Sequence, residues 1–286
     1  MSVNGGNVKN TGIEVGLHWN DNIGKDFQYG ANLTLAHNKN EVTKIANKDG
    51  IIHGSGSVLW EGAEECFRAE VGKPIGYFYG YKSNGIFQNQ EQIDNYKGPK
   101  LNGDKTQPGD VIWADTDNSG TLDANDRTMI GKPNPDWTYG FTLSADWKGL
   151  DFRGSIGNDI YKLYRRSNVT FGNYDKSWLN RWHGEGTSNW VPRIIDGDNN
   201  NYQVSNFFVE DGSYMRLKVL QIGYSLPGQM LQRVGVKGLR FFVQGENLFT
   251  ITNYSGYDPE VGTRDGFDGG TYPQARTYTI GANITF

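Results

Sequence analysis

Strict alternation of apolar and polar residues runs through most of this chain, and it constrains the fold more than any other feature. In "WTYGFTLSADW", Trp137, Tyr139, Phe141, Leu143, Ala145 and Trp147 share one face, and Thr138, Gly140, Thr142, Ser144 and Asp146 share the other. "TYTIGANITF" sets Tyr278, Ile280, Ala282, Ile284 and Phe286 against Thr277, Thr279, Gly281, Asn283 and Thr285. "LRFFVQGENLF", "GIEVGLHWN" and "FQYGANLTLAHN" follow the same rule. A period of two is the signature of a strand with two unlike faces. "MRLKVLQIGYSL" alternates but changes phase near Val219 and Leu220, which predicts a bulge.

Roughly nine strands are predicted, near 8–20, 26–45, 64–71, 75–87, 136–147, 149–162, 213–226, 238–250 and 276–286. Short connectors at 21–25, 72–74, 148–150 and 227–237 contrast with long ones at 46–63, 88–135, 163–212 and 251–275. A soluble sandwich can also alternate its strands. Long loops at one end and short turns at the other favour an outer-membrane β-barrel, with Trp19, Trp137, Trp147 and Phe286 suited to interfacial girdles. Bacterial single-chain barrels use even strand numbers, so nine strands predict part of something larger.

Composition narrows the function classes. The 286 residues carry a formal net charge of −4, which gives no reason to expect nucleic acid. One cysteine, Cys66, excludes an internal disulfide framework and a Cys-rich metal site. No run approaches the roughly 18 apolar residues of a membrane helix, and "MSVNGGNVKN" has no secretory h-region. The four histidines, His18, His37, His53 and His183, fall in no metalloprotease spacing, and neither a nucleophile elbow nor a P-loop is present. The expectation is a non-enzyme. The acids Glu64, Glu65, Asp258 and Glu260 are read as solvated loop charges and Cys66 as a small packed residue.

The strongest local motif is "DTDNSGTLDANDR". A 12-residue calcium loop supplies oxygens from positions 1, 3, 5, 7, 9 and 12. These are Asp115, Asp117, Ser119, the Thr121 carbonyl, Asp123 (directly or through water) and Asp126, with Gly120 at the sharp turn and Leu122 as apolar anchor. Aspartate in place of glutamate at the last position shortens bidentate reach. No amphipathic helices flank the loop, so the predicted role is a structural Ca2+ clip in a strand connector rather than a sensor. Trp60, Trp113, Trp178, Trp182 and Trp190 lie in or beside the long connectors, where they can contact substrate or partner, or pack the loops together.

"VGKPIGYFYGYKSNGIFQNQEQI", "PGDVIWADTDNSGTLDANDRTMIGKPNPDWTYGFTLSADWKGLDF", "VEDGSYMRLKVLQIGYSLP", "GENLFTITNYSGYDPEV" and "YPQARTYTIGANITF" occur in that order. Together they resemble the C-terminal third of SusC/RagA-type TonB-linked outer-membrane transporters, over nearly the whole chain. The resemblance implies a 22-stranded antiparallel transmembrane barrel with an N-terminal plug. It further implies a SusD-like surface lipoprotein as partner, contact with outer-membrane lipids, and import of glycans or peptides driven by the TonB complex. Residues 1–286 are then expected to be an all-β, C-terminal barrel segment with long extracellular loops and the calcium-loop-like insertion at 115–126. The plug, the signal sequence and the TonB-contacting part are absent from the pattern. Phe286, closing an alternating run, resembles the terminal aromatic read by the outer-membrane insertion machinery. The alternative expectation is a soluble, calcium-stabilised β-sandwich that binds carbohydrate.

Overall fold

A computed structural model describes residues 5–59, 62–160, 162–165, 176–195, 200–231, 235–260 and 266–286. The chain opens with two long strands, β1 (Gly6–Ile23) and β2 (Phe27–Ile45). Six short ones follow: β3 (Ile51–Gly54), β4 (Phe67–Glu70), β5 (Tyr77–Gly80), β6 (Ser83–Ile86), β7 (Val111–Trp113) and β8 (Thr128–Gly131). Then come β9 (Trp137–Trp147), β10 (Leu150–Ile160), β11 (Lys162–Arg165), β12 (Val209–Asp211) and β13 (Tyr214–Ser225). The last are β14 (Gly238–Glu246), β15 (Thr250–Thr252), β16 (Phe267–Asp268) and β17 (Thr277–Thr285).

The principal sheet runs β1-β2-β9-β10-β13-β14-β17, with β15 added beside β13. All its pairs are antiparallel. Its registers carry the alternation from strand to strand. Leu17 faces Leu33, Leu33 faces Phe141, and Phe141 faces Ile156, so one surface is largely apolar, with His37 and Asp21 among its polar members. Few atoms cover that surface: Ile13 is 71% exposed and Ile280 86%. A contiguous apolar face of this kind marks a membrane or protein contact. The opposite surface is glycine, hydroxyl, amide and charge. The predicted phase change is real: Ser155 pairs with Val219 but Ile156 with Leu217, leaving Lys218 as the extra residue of a bulge.

The expected barrel segment is corrected by this topology. Among the described residues β1 pairs only with β2 and β17 only with β14, so the sheet stays open. Separate sheets of order β3-β4-β5-β8, β12-β11-β16 and β6-β7 hold much of the remaining strand structure. Among the described residues the chain is β-rich with several separate sheets, none closed into a barrel. The stretches 64–71 and 75–87, expected as barrel strands, lie outside the principal sheet. The physical reason is visible in β5, where Tyr77, Phe78, Tyr79 and Gly80 are all buried. A segment buried on both faces belongs to a packed core, not to a wall with one wet and one dry side.

That core is built from the connectors. All three long ones, 46–136, 161–213 and 247–276, leave the same end of the principal sheet, while the turns at 24–26, 148–149 and 226–237 lie at the other. Leu59, Cys66, Phe78, Val204 and Phe208 form one buried cluster. Tyr81, Val111 and Trp113 form a second, and Phe87, Ile93 and Ile112 a third. The described parts of the connectors therefore pack as a folded body rather than as independent loops.

Candidate functional site

The acidic loop sits on this connector body, between β7 and β8. Leu122 packs against the Tyr81, Val111 and Trp113 cluster and anchors its apolar side. Asp123 and Asp126 cap the short turn at 124–126 reciprocally: the Asp123 side chain accepts from Asn125 N at 2.7 Å, and Asp126 Oδ2 accepts from Asp123 N at 2.9 Å. Asp126 Oδ1 also accepts from Thr116 N at 2.7 Å, and the residue is fully buried. The loop reverses through Asn118 (φ 61°) and Gly120 (φ 81°), a left-handed pair that glycine and asparagine tolerate best.

Three carboxylates converge there. Ligand oxygens of Asp115, Asp117 and Asp126 lie within 4.8 Å of one another. Asp115 accepts from Ser119 N at 3.0 Å and Gly120 N at 2.8 Å, and Asp117 accepts from Ser119 N at 2.9 Å. The hydroxyl and amide of Ser119 hold the Asp117 carboxyl below its ordinary range, so it is ionised at neutral pH. The other expected ligands are arranged differently. Ser119 Oγ donates to the Thr121 carbonyl at 3.0 Å, and Asp123 is turned to its capping role. The loop is a clustered acidic motif of hard oxygen donors, suited to a cation.

Next to it, Arg127 fastens the end of the loop to the aromatic segment that includes β5. Its guanidinium lies 4.7 Å from the Tyr79 ring centroid and 5.8 Å from that of Tyr81, and pairs with Glu64 at 3.3 Å. Arg68 stacks on Tyr79 at 3.4 Å and holds Glu65 with two hydrogen bonds. Burial alone would raise the Glu65 carboxyl, but Arg68 and His53 outweigh it and lower it.

The connector tryptophans divide by burial. Trp113 is buried, and its Nε1 donates to the Asn200 carbonyl at 3.1 Å. Trp178 is buried, stacked on Tyr202 at 5.8 Å. Trp182 is half-buried and donates to Gln88 at 3.3 Å. Trp190 is 48% exposed, with its ring 5.9 Å from Phe207. Trp60 lies outside the described residues. Phe286 follows β17 and is exposed.

Two polar anchors were not legible as such in the sequence. Asp110 is fully buried and gathers Arg193 Nε at 2.6 Å, Gln107 N at 2.9 Å and Asn201 Nδ2 at 3.3 Å, tying the first connector to the second. Arg216, on the polar face of β13, donates through Nε to Thr250 at 2.8 Å, through Nη1 to Glu260 at 2.9 Å and through Nη2 to Asp258 at 2.5 Å. Lys218, the bulge residue, also pairs with Glu260. Asp258 and Glu260, read in the sequence as solvated charges, are thus fastened to the sheet. The available signal was a lone arginine among strand residues.

No family model matches the chain. Individual proteins do. It is 32% identical to TonB-dependent receptor P3 of Formosa agariphila over 98% of its own length and 29% of that protein's. It is 26% identical to TonB-dependent receptor SusC of Bacteroides thetaiotaomicron over 100% of its length and 27% of that protein's. The fold matches a structure of the RagAB peptide transporter with a TM-score of 0.76 and 25% identity, over 99% of this chain and 30% of that one. A RagAB peptide importer in an open-open state matches with a TM-score of 0.75 and 26% identity. The chain spans under a third of the length of these relatives. They are transport proteins rather than catalysts. With its alternating strands, its bare apolar sheet face and matches that extend from end to end of its sequence, the chain belongs to the SusC/RagA-type family of TonB-dependent outer-membrane transporters.

Proposed function

We propose that this domain serves the import of glycans or peptides across the outer membrane, with its connector body as the surface that meets substrate and a SusD-like lipoprotein. The observation that carries this reading is the common exit of all three long connectors from one end of the sheet into a single body with its own core. A preformed surface recognises a ligand at less ordering cost than three free loops. The RagAB relatives are named as a peptide transporter and importer, which favours a lipoprotein partner and peptide cargo. Energy from the TonB complex would act on parts of the longer proteins that this chain does not span. Trp190, Tyr257 and Tyr272, exposed on the body, are the aromatic contacts of choice. A photocrosslinker placed in turn at each position, in cells expressing the protein from its own gene, should capture a surface lipoprotein. If none of the three captures one, and alanine at all three leaves uptake of labelled peptides and oligosaccharides unchanged, the reading fails.

We infer further that the cation of the acidic loop is Ca2+. The donors are all oxygen, three are carboxylates, and nitrogen and sulfur play no part, which suits a hard cation of flexible coordination. Asp115, Asp117 and Asp126 would hold it, with Ser119, Thr121 and Asp123 completing the shell after local rearrangement. Its role is to cancel repulsion among the carboxylates. Affinity should be about 10⁻⁴ to 10⁻³ M, as in extracellular modules. Calorimetry with Ca2+ and with Mg2+ tests it; no heat at millimolar Ca2+, or equal binding of Mg2+, overturns the assignment.

A further inference from the structure

Where the third connector meets the polar face of the principal sheet, a trough of about 710 Å³ opens beside it, within the roughly 300–1,000 Å³ of ligand pockets. Its floor is one row across four strands. Gly16 faces Thr34, Thr34 faces Gly140, and Gly140 faces Gly157. Lys218 and Glu260 stand at the β13 end, and Glu14 at the β1 end.

The floor leaves room for a group from outside the sheet. Glycine weakens a strand interior, and it marks places where a ligand or another backbone approaches closely. Internal packing does not demand it at Gly16, where an added Cβ would meet nothing within 4 Å. β2, β9 and β10 are hydrogen-bonded on both sides, so a chain entering the trough lies across the face rather than adding a strand. The hydroxyls of Thr34 and Thr138 line its path and can bond main-chain amides. A sugar ring finds no platform: no floor residue is aromatic, and Tyr214 at the edge is 3% exposed, with Arg216 Cζ 5.4 Å and Lys218 Nζ 5.6 Å from its ring centroid.

The charges set what else the occupant carries. Arg216 pairs with Asp258 and Glu260, and Lys218 pairs with Glu260, so these four balance. Glu14 is exposed and has no hydrogen bond or ion pair among the described residues. The trough therefore presents one uncompensated carboxylate, which a cation complements.

We propose that the trough binds a peptide, its main chain over Gly16, Gly140 and Gly157 and an ammonium or guanidinium group on Glu14. Glu14 is the residue that determines specificity for the cationic side chain. The proposal rests on the import reading above in taking peptide as the cargo.

Microscale thermophoresis of the detergent-purified protein, expressed from its own gene, tests it. The probes are blocked pentapeptides, acetyl-Gly-Gly-Xaa-Gly-Gly-amide, with lysine, acetyl-lysine or glutamate at the centre. Wild type should bind the lysine peptide about two- to five-fold more tightly than the acetyl-lysine peptide, the scale of an exposed ion pair. Glu14→Gln should equalise those two, and Glu14→Lys should favour the glutamate peptide. Gly16→Val should weaken all three by filling the trough, and its side chain enters open space in a strand, so the fold is kept. A cysteine in place of Gly16 should react with a maleimide and be protected by the lysine peptide. The proposal is overturned by equal binding of the lysine and acetyl-lysine peptides to wild type, by a preference that survives Glu14→Gln, by no binding of any peptide, or by an unreactive cysteine, which would mean that another part of the protein fills the trough. Failed lipoprotein capture at Trp190, Tyr257 and Tyr272 with this charge preference intact would support the site while counting against the connector surface.

Discussion

Arg216 in β13 and Asp258 in the connector after β15 meet at 2.5 Å with both side chains almost wholly removed from solvent, 3% and 5% exposed. Forty-two residues of chain separate them. The pair pins residues 254–260 against the polar face of the sheet, and Asp258 completes its shell by accepting from Glu260 N at 2.9 Å and Gln274 N at 2.8 Å.

Breaking that pair from one side leaves a buried charge without its partner. Arg216→Ala should destabilise the third connector by about 3–5 kcal/mol. Arg216→Met with Asp258→Asn should cost less than the sum of the single changes, because neither charge is then stranded. Hydrogen exchange over 254–260 and 266–274, compared across Arg216→Ala, Arg216→Met, Asp258→Asn and the double variant, measures it.

The acidic loop separates binding from folding. Asp117 is exposed and Asp126 fully buried in a capping box. Asp117→Ala should abolish terbium luminescence at millimolar ion while leaving the melting profile of the connector body unchanged. Asp126→Ala should lose both, with a stability cost of about 2–4 kcal/mol from two broken charge-assisted hydrogen bonds. A normal melt for Asp126→Ala would contradict the buried geometry.

Acid should loosen the connector body late. Burial alone would raise the Asp258 carboxyl, but Arg216 and the amides of Gln274 and Glu260 hold it below its ordinary range. Glu65 is lowered in the same sense by Arg68 and His53. A carboxyl depressed in the folded state contributes stability that is fully present above its unfolded value and is lost as pH falls through the folded value. Tryptophan fluorescence should therefore stay native from neutrality down to the ordinary carboxylate range and change only below it. In Asp258→Asn/Glu65→Gln, that acid dependence should shrink.

Gly109 tests the junction of the first two connectors. It holds φ at 94°, and an added Cβ would stand 2.5 Å from Trp182 Cε3 and 2.9 Å from Arg193 side-chain atoms. Gly109→Ala combines backbone strain with a clash, and should cost about 1–3 kcal/mol. Protease sensitivity of residues 182–193 should rise; unchanged sensitivity would mean the junction is looser than its geometry.

Much of the architecture was readable without coordinates. Alternation in 137–147 and 277–285 specified strands and which residues share a face, because the two-residue period is a property of a single strand. The bulge at Lys218 showed as a phase change for the same reason. The turn of the acidic loop was legible in Gly120, whose conformational preference is local, while the left-handed Asn118 beside it was shown by the structure. The tertiary structure alone decided that the principal sheet is open, that 64–71 and 75–87 leave it for a separate core, and that Asp123 caps a turn instead of joining the acidic cluster. It alone brought Arg216 to Asp258 and Asp110 to Arg193. Periodicity reports what each residue sees above and below its own strand. Which strand lies alongside, and which distant charge is buried against which, depends on side chains far apart in sequence whose pairing is settled by desolvation in three dimensions.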